Sequence, residues 1–322
     1  MSESFASLTV EQQIQSLIPA ATSVLENYEL GEVTSVESIN HEYNSTFSVE
    51  TSGGAKFALR VNVNSPRSIK NLNAEVEWLS QLASAGVVKV CVPVANRSGD
   101  LVTEVWHEGS GRTLKAVLFE WLDGSELGDE PTAEQVFALG AAMAKLHEQA
   151  MSVRLSDEAE LPDLREFFWG AENMLTGSNS PLETETKDII SDAISRIDEV
   201  VASLFLRDVA RPIHADLHGW NVMWHDGEVS VFDFDDSGFG VPLQDLATAL
   251  YYLDTDEQNE AMLAGYASIR PVPEYSAEEF KALMLHRRIA LLNYLYETDN
   301  PEHREMIPKY QEETLRRIQA VW

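Results

Sequence analysis

Residues 212–240 read PIHADLHGWNVMWHDGEVSVFDFDDSGFG. His214, Asp216 and His218 fall within five residues, and Asn221 follows three further on. Twelve residues later comes Asp233, at the head of an Asp-Phe-Asp-Asp cluster. Between them, NVMWHDGEVSVFDFD reads as two short strands around Asp226-Gly227, a dipeptide suited to a tight hairpin turn. The hairpin is expected to carry Asp233 on its second strand and fold it back toward the loop bearing Asp216 and Asn221. A carboxylate and an amide oxygen offered together are hard donors, suited to Mg²⁺ rather than Zn²⁺. A second carboxylate, not needed by the metal, can accept a proton or orient a hydroxyl. Phosphoryl transfer divides its labour in this way, with metal charge on the phosphates and one acid on the nucleophile.

Outward from this stretch the texture of the chain changes. Toward the N-terminus, VTSVESI, TFSVE, KFALRVNV, VCVPVA, LVTEVW and TLKAVLFEWL predict strands, separated by turn chemistry such as TSGGA and NRSGD. A helix over 9–27 precedes them, opened by TVEQ, in which Thr9 and Gln12 can form a capping box. A second helix, about 68–85, interrupts them. From Pro131 onward helical periods dominate, over 131–150, 183–206, 242–253, 256–268, 276–298 and 301–319. The expected fold class is α+β. Residues 1–122 form a small N-terminal lobe with an antiparallel sheet plus helix, and residues 123–322 a larger, mainly helical C-terminal lobe. The join at WLDGSELGDEP is too short for a free linker, so the two lobes are expected to share a cleft.

HADLHGWN followed by VFDFDD resembles the catalytic and metal motifs of the aminoglycoside phosphotransferase and homoserine kinase-like family, relatives of the protein kinases. The family pattern is H-x-D-x-x-x-x-N and then a hydrophobic strand ending in Asp. The resemblance spans about residues 30–270. It implies a two-lobed, protein-kinase-like fold and ATP-dependent transfer to a hydroxyl of a small molecule: an aminoglycoside, homoserine, choline or a similar amine-bearing metabolite. It implies Asp216 as the catalytic base and Asn221 and Asp233 as the residues that hold Mg²⁺. His218 and Asp235 match a subgroup that includes stress-response kinases, which keeps a protein Ser/Thr acceptor as the alternative. His214 is expected to support the loop by hydrogen bonds. His218 stands between loop support and substrate contact, and Asp235 between a second metal and a supporting role. Gly238 and Gly240 are expected to allow a tight exit from the metal strand.

The N-terminal lobe has its own candidates. In KFALRV, Phe57, Leu59 and Val61 face one way and Lys56, Ala58 and Arg60 the other. Arg60 resembles the lysine of the kinase Ala-x-Lys, but a guanidinium is a planar fork and not a point charge; Lys56 is the reserve. On NLNAEVEWLSQL, at about 100° per residue, Leu72, Val76, Leu79, Leu82 and Ala83 cluster with Glu75 among them, while Glu77 lies opposite. Glu75 is therefore the expected partner of Arg60. INHEYNSTFSVE holds no glycine, and Asn44, Ser45 and Thr46 are expected to offer the phosphate contacts. LFEWLDG resembles the family's hinge, where Glu120 and Leu122 would present backbone groups to adenine; GTP stays open beside ATP. In REFFWGAENM, Trp169 caps the acceptor pocket or packs in the core with Phe167 and Phe168. Tyr251 and Tyr252 are open, and His147 in ALGAAMAKLHEQA reads as a core histidine.

Composition limits the partners. The chain has 322 residues, 44% hydrophobic and 24% charged, enough for a sizeable core and about two domains. Its 53 acidic and 23 basic residues give a net charge of -30. That field repels phosphate backbones and argues against nucleic acid, while it attracts a cationic acceptor. No apolar run approaches the ~18 residues of a membrane helix. MSESFASLTVEQQ lacks the features of a secretory signal, and Cys91 stands alone, so a cytoplasmic location is expected. Two readings of other classes stay in view. One is a His/Asp metal-dependent hydrolase built on HADLH with Asp233 and Asp235. The other is a pseudokinase-like binding protein, given arginine for lysine and the glycine-free loop. Acceptor identity and oligomeric state are not legible.

Overall fold

A computed structural model describes residues 5–298 and 300–322. The chain forms two compact units, one of Met1–Asp123 with Arg154–Glu160, the other of Gly124–Val153 with Leu161–Trp322.

The first unit holds α1 (Val10–Leu25), β1 (Val33–His41), β2 (Asn44–Thr51), β3 (Lys56–Asn62), α2 (Ile69–Ala85), β4 (Lys89–Val90), β5 (Thr103–His107) and β6 (Arg112–Glu120). The α1 capping box is formed as its sequence requires, Gln12 N–H to Thr9 Oγ1 at 3.3 Å and Thr9 N–H to Gln12 Oε1 at 2.9 Å. Five strands make an antiparallel sheet in the order β1-β2-β3-β6-β5. Period-two alternation sends Phe47, Val49, Leu59, Val61, Ala116 and Leu118 to one face. There they bury against Leu17, Ala21 and Val24 of α1 in a single apolar cluster. The VCVPVA segment shrinks to the two-residue β4, because its proline withholds an N–H from any ladder. The segment Arg154–Glu160 returns to this unit along α2, where Asn71 Nδ2, Asn73 Nδ2 and Gln81 Nε2 donate to the carbonyls of Glu160, Glu158 and Arg154.

The second unit holds β7 (Ser125–Glu126), α3 (Ala133–Gln149), α4 (Thr184–Arg207), β8 (Arg211–Ile213), β9 (Val222–His225), β10 (Glu228–Val231), β11 (Gly238–Gly240) and α5 (Pro242–Tyr251). It continues with α6 (Asp256–Ala267), α7 (Ala277–Glu297), α8 (Pro301–Glu305) and α9 (Ile307–Val321). The helix expected over 301–319 is thus two helices. Pro308, near the start of α9, cannot extend an incoming helix and opens a new one. Helix α7 is buried nearly all round and packs on α4, α5 and α9, so it is the central helix of this unit. Helices α3 and α6 meet backbone to backbone. A Cβ on Gly140 would stand 2.2 Å from the Met262 carbonyl oxygen, and one on Gly265 2.0 Å from that of Phe137.

Candidate active site

The quoted hairpin forms as β9 and β10, with Val222 opposite Val231 and the turn at Asp226-Gly227, where Asp226 takes φ 51° and Gly227 φ 82°. The second strand stops at Val231, so Asp233 is not a strand residue. It sits beyond the ladder in the left-handed region, at φ 61°. Phe232 N–H donates to the Asn221 carbonyl at 3.1 Å, which closes the hairpin and keeps the two motif segments side by side. Asp235 and Asp236 lie in a turn, so Asp235 does not share a strand face with Asp233. Gly238 and Gly240 serve close packing, not an exit turn. They lie in β11 against β8, and a Cβ would come within 2.4 Å of Leu164 and 2.7 Å of Ile213.

The loop between β8 and β9 carries Asp216. Ala215, just before it, adopts φ 68°, a conformation an L-residue holds only when its surroundings impose it. Asp245 of α5 imposes it. Its fully buried carboxylate takes the Ala215 N–H at 2.6 Å, the His214 N–H at 3.1 Å and His147 Nε2–H at 2.9 Å. His147 accepts from the Tyr266 hydroxyl at 2.9 Å through Nδ1. Burial keeps that imidazole below its usual pKa despite Asp245, so it bonds as the neutral ring. His214 has both nitrogens engaged, Nε2–H on the Phe232 carbonyl at 2.9 Å and Nδ1 accepting from Asp216 N–H at 3.3 Å. It is a loop strut, and a metal site built on HADLH loses its first histidine. Among the described residues no group of three His, Cys, Asp or Glu is placed to hold a metal.

Asp216 keeps 21% of its side chain exposed. Oδ1 meets Arg287 Nη2 and lies 3.4 Å from His218 Nε2. Oδ2 lies 3.4 Å from Asn221 Nδ2, whose stronger bond, 2.8 Å, goes to the Asp216 carbonyl. Burial alone would raise this carboxyl, but the Arg287 guanidinium and the hydrogen bond from His218 outweigh it and hold the pKa at about 2. Asp216 is ionised at neutral pH. Because Asn221 anchors itself through Nδ2, its Oδ1 is left without a hydrogen-bond partner among the described residues. An amide oxygen and the carboxylate of Asp233, on the segment that the Phe232–Asn221 bond holds alongside, are in donor chemistry suited to a Mg²⁺-type ion.

Two neighbours complete the site. Tyr252 stacks on His218, ring centroids 4.3 Å apart, and its hydroxyl accepts from Arg287 Nε at 3.0 Å and Nη2 at 2.5 Å. Burial pushes that phenol up to about 12. Trp169, half-buried at φ 54°, packs on the cluster of Leu164, Ile213 and Ala215, against the loop that carries the base. Sequence reasoning missed Asp245 and Arg287. The signal for each was a charged side chain inside an apolar helical run, PLQDLATAL and LMLHRRIALL.

In the first unit, Arg60 and Glu75 form a buried two-pronged pair, Nη1 to Oε1 at 2.8 Å and Nη2 to Oε2 at 2.5 Å. Lys56, the reserve cation, is half-buried, with Nζ 3.6 Å from Glu50 and over the Trp121 ring. Ser45, expected as a phosphate contact, faces the core instead. It shares the Phe47 and Val49 face of β2, is fully buried, and bonds His41 Nδ1 at 2.5 Å. Asn44 and Thr46 lie on the opposite, half-buried face, and Asn44 Oδ1 accepts from Asn62 Nδ2 at 2.9 Å. Glu120 ends β6 exposed, its N–H bonded to the Val92 carbonyl at 2.8 Å, and Leu122 is half-buried just beyond.

A family model described as the phosphotransferase enzyme family, APH, matches residues 35–279. The homoserine kinase of Neisseria meningitidis serogroup B is 31% identical over 264 residues, covering 79% of this chain and 79% of that protein. The amicoumacin kinase of Bacillus subtilis (strain 168) is 28% identical over 196 residues, 61% of this chain and 56% of its own length. Among solved structures, amicoumacin kinase hAmiN in complex with AMP-PNP, Ca²⁺ and Ami superposes with a TM-score of 0.75 at 18% identity, covering 96% of both chains. A microcompartment-associated aminopropanol kinase does so with 0.73 at 22% identity, covering 92% of this chain and 95% of that one. No helix among the described residues is long and apolar enough to cross a membrane. The match across residues 35–279, together with a kinase-like α+β fold, makes this chain a member of the phosphotransferase enzyme family, and it is a phosphotransferase.

Proposed function

We propose that the protein transfers the γ-phosphoryl group of ATP to a hydroxyl of a small, amine-bearing molecule. The observation that carries this reading is the loop at Asp216: an ionised carboxylate, partly open to solvent, held by a buried network. Asp216 orients the acceptor hydroxyl and takes its proton as the new oxygen–phosphorus bond forms and the bond from phosphorus to the ADP oxygen breaks. Asn221 through Oδ1 and Asp233 through its carboxylate would hold Mg²⁺, which supplies positive charge to the nucleotide phosphates. His218 keeps Asp216 Oδ1 occupied, so Oδ2 is the oxygen left for the hydroxyl. Arg60, paired with Glu75, is the proposed phosphate contact in the first unit, with Thr46 beside it on the neighbouring strand, opposite it in register. The backbone at Glu120 and Leu122 is the proposed adenine contact.

The relatives named as kinases of homoserine, amicoumacin and aminopropanol support a small acceptor over a protein one. The test is a nucleotide-consumption screen with ATP or GTP and Mg²⁺ against amino alcohols, hydroxy amino acids, sugars, aminoglycosides and a generic protein. Transfer to a small hydroxyl, abolished in Asp216→Asn, is the expected result. Phosphorylation of the protein acceptor alone would overturn the proposal.

A further inference from the structure

Helix α7 buries three basic residues in succession, His286, Arg287 and Arg288, and their partners differ in kind. His286 Nε2 bonds the Phe167 carbonyl at 2.9 Å. Arg288 commits every guanidinium nitrogen inside the protein: Nε to Thr314 Oγ1 at 3.1 Å, Nη1 to the Tyr251 hydroxyl at 3.3 Å, Nη2 to the Tyr310 carbonyl at 3.1 Å. Arg211 does the same, with Nε and Nη2 on the Val209 carbonyl and Nη1 on that of His147. Both arginines are structural.

Arg287 is different. Its Nε and Nη2 reach the Tyr252 hydroxyl, and Nη2 also meets Asp216 Oδ1, while Nη1 has no hydrogen-bond partner among the described residues. Yet the side chain is only 8% exposed. A guanidinium carries five N–H donors in a fixed fork. The two on Nη1 make no hydrogen bond among the described residues and stay open to solvent, directly beside the residue proposed to receive the acceptor's proton.

We infer that this open edge of Arg287 seats a carboxylate of the acceptor, so that the substrate is a small amino-hydroxy acid. The inference rests on the kinase reading above and narrows its acceptor class. Nη1 shares its carbon with Nη2, which touches Asp216, so an anion held there lies close to the base. The acceptor must place its carboxylate only a few bonds from its reacting hydroxyl. A carboxylate matches the planar fork, whereas an amine at this position would meet a like charge. The guanidinium then offers Nη2 to Asp216 and Nη1 to the acceptor, and offsets the repulsion between the acceptor's carboxylate and those of Asp216 and Asp236.

The experiment uses the full chain with ATP and Mg²⁺ and acceptors paired so that only the carboxylate differs. L-Homoserine is set against 3-amino-1-propanol, and L-threonine against 1-amino-2-propanol. The expected result is a kcat/KM about 10–100-fold higher for the acid of at least one pair, the range of a charge-assisted hydrogen bond. Arg287→Met and Arg287→Lys should remove most of that preference, chiefly through a raised KM for the acid, with a smaller change for its decarboxylated partner. Equal turnover within both pairs, or preference for the amino alcohols, overturns the inference. A variant that lowers both members of a pair by the same factor does so too, since that is how a merely structural arginine behaves. Should the variants fail to fold, the wild-type ratios decide alone. Transfer to an aminoglycoside but to neither acid leaves the kinase reading standing and this inference false, while transfer to nothing in the panel removes both.

Discussion

At Asp216 the two carboxylate oxygens have different surroundings, and the chemistry follows from the difference. Oδ1 is held by Arg287 and His218, whereas Oδ2 has, among the described residues, only a long contact to Asn221. Asp216→Asn keeps the shape but loses the acceptor charge. The expected outcome is a kcat lower by about 10²–10⁴-fold with nucleotide affinity nearly unchanged. Retained turnover would contradict the base assignment. Asp233→Ala is expected to weaken nucleotide binding in Mg²⁺ and leave the metal-free affinity unchanged, measured by titration with and without the ion. Asp216 and Asn221 were legible because they sit on one short loop, where spacing in sequence is nearly spacing in space. Arg287 was not, since it reaches the same carboxylate from a distant helix, 71 residues away, and Tyr252, left open by the sequence, meets it only through Arg287 and His218.

Helices supply what the loop cannot. Asp245 on α5 satisfies two backbone N–H groups of the loop and the His147 ring together. Asp245→Ala leaves those buried donors without an acceptor, at about 1–3 kcal/mol each. The expected outcome is a clear fall in unfolding temperature together with lost activity, as Ala215 relaxes from its left-handed backbone. A melt at the wild-type temperature would refute the anchoring role. Helix α7 adds a pH dependence. Burial holds the His286 imidazole down at about 4, against 6.5 for an exposed one. The folded state therefore binds fewer protons than the unfolded state between those values, so stability is complete above about pH 6.5 and falls as pH approaches 4, by about 3 kcal/mol. Denaturant melts across this window should show a steeper loss for the wild type than for His286→Gln. Equal slopes would exclude His286 as the source. The elements themselves were largely readable from period and caps. The errors came at β4, the end of β10 and the α8–α9 break, where a proline or a left-handed residue stops an otherwise plausible pattern.

Across the whole molecule, the charge of -30 acts on the fold as self-repulsion. Salt screens it, with a Debye length of about 8 Å at 0.15 M and 3 Å at 1 M. The melting temperature is expected to rise between low salt and 1 M NaCl, and a flat or falling response would show that the surface charges are already well paired. Composition made that charge plain, but it could not show that Arg154–Glu160 returns to the first unit, because that return is made by side-chain amides of α2 on backbone carbonyls. Glycines in α3 and α6 leave the least room of all. Two absent methyl groups let these helices lie so close that a phenol on one reaches an imidazole on the other, and through it the carboxylate beneath the base. Gly140→Ala would wedge that seam apart, and the aim of Asp216 would drift although no residue near the phosphate had changed.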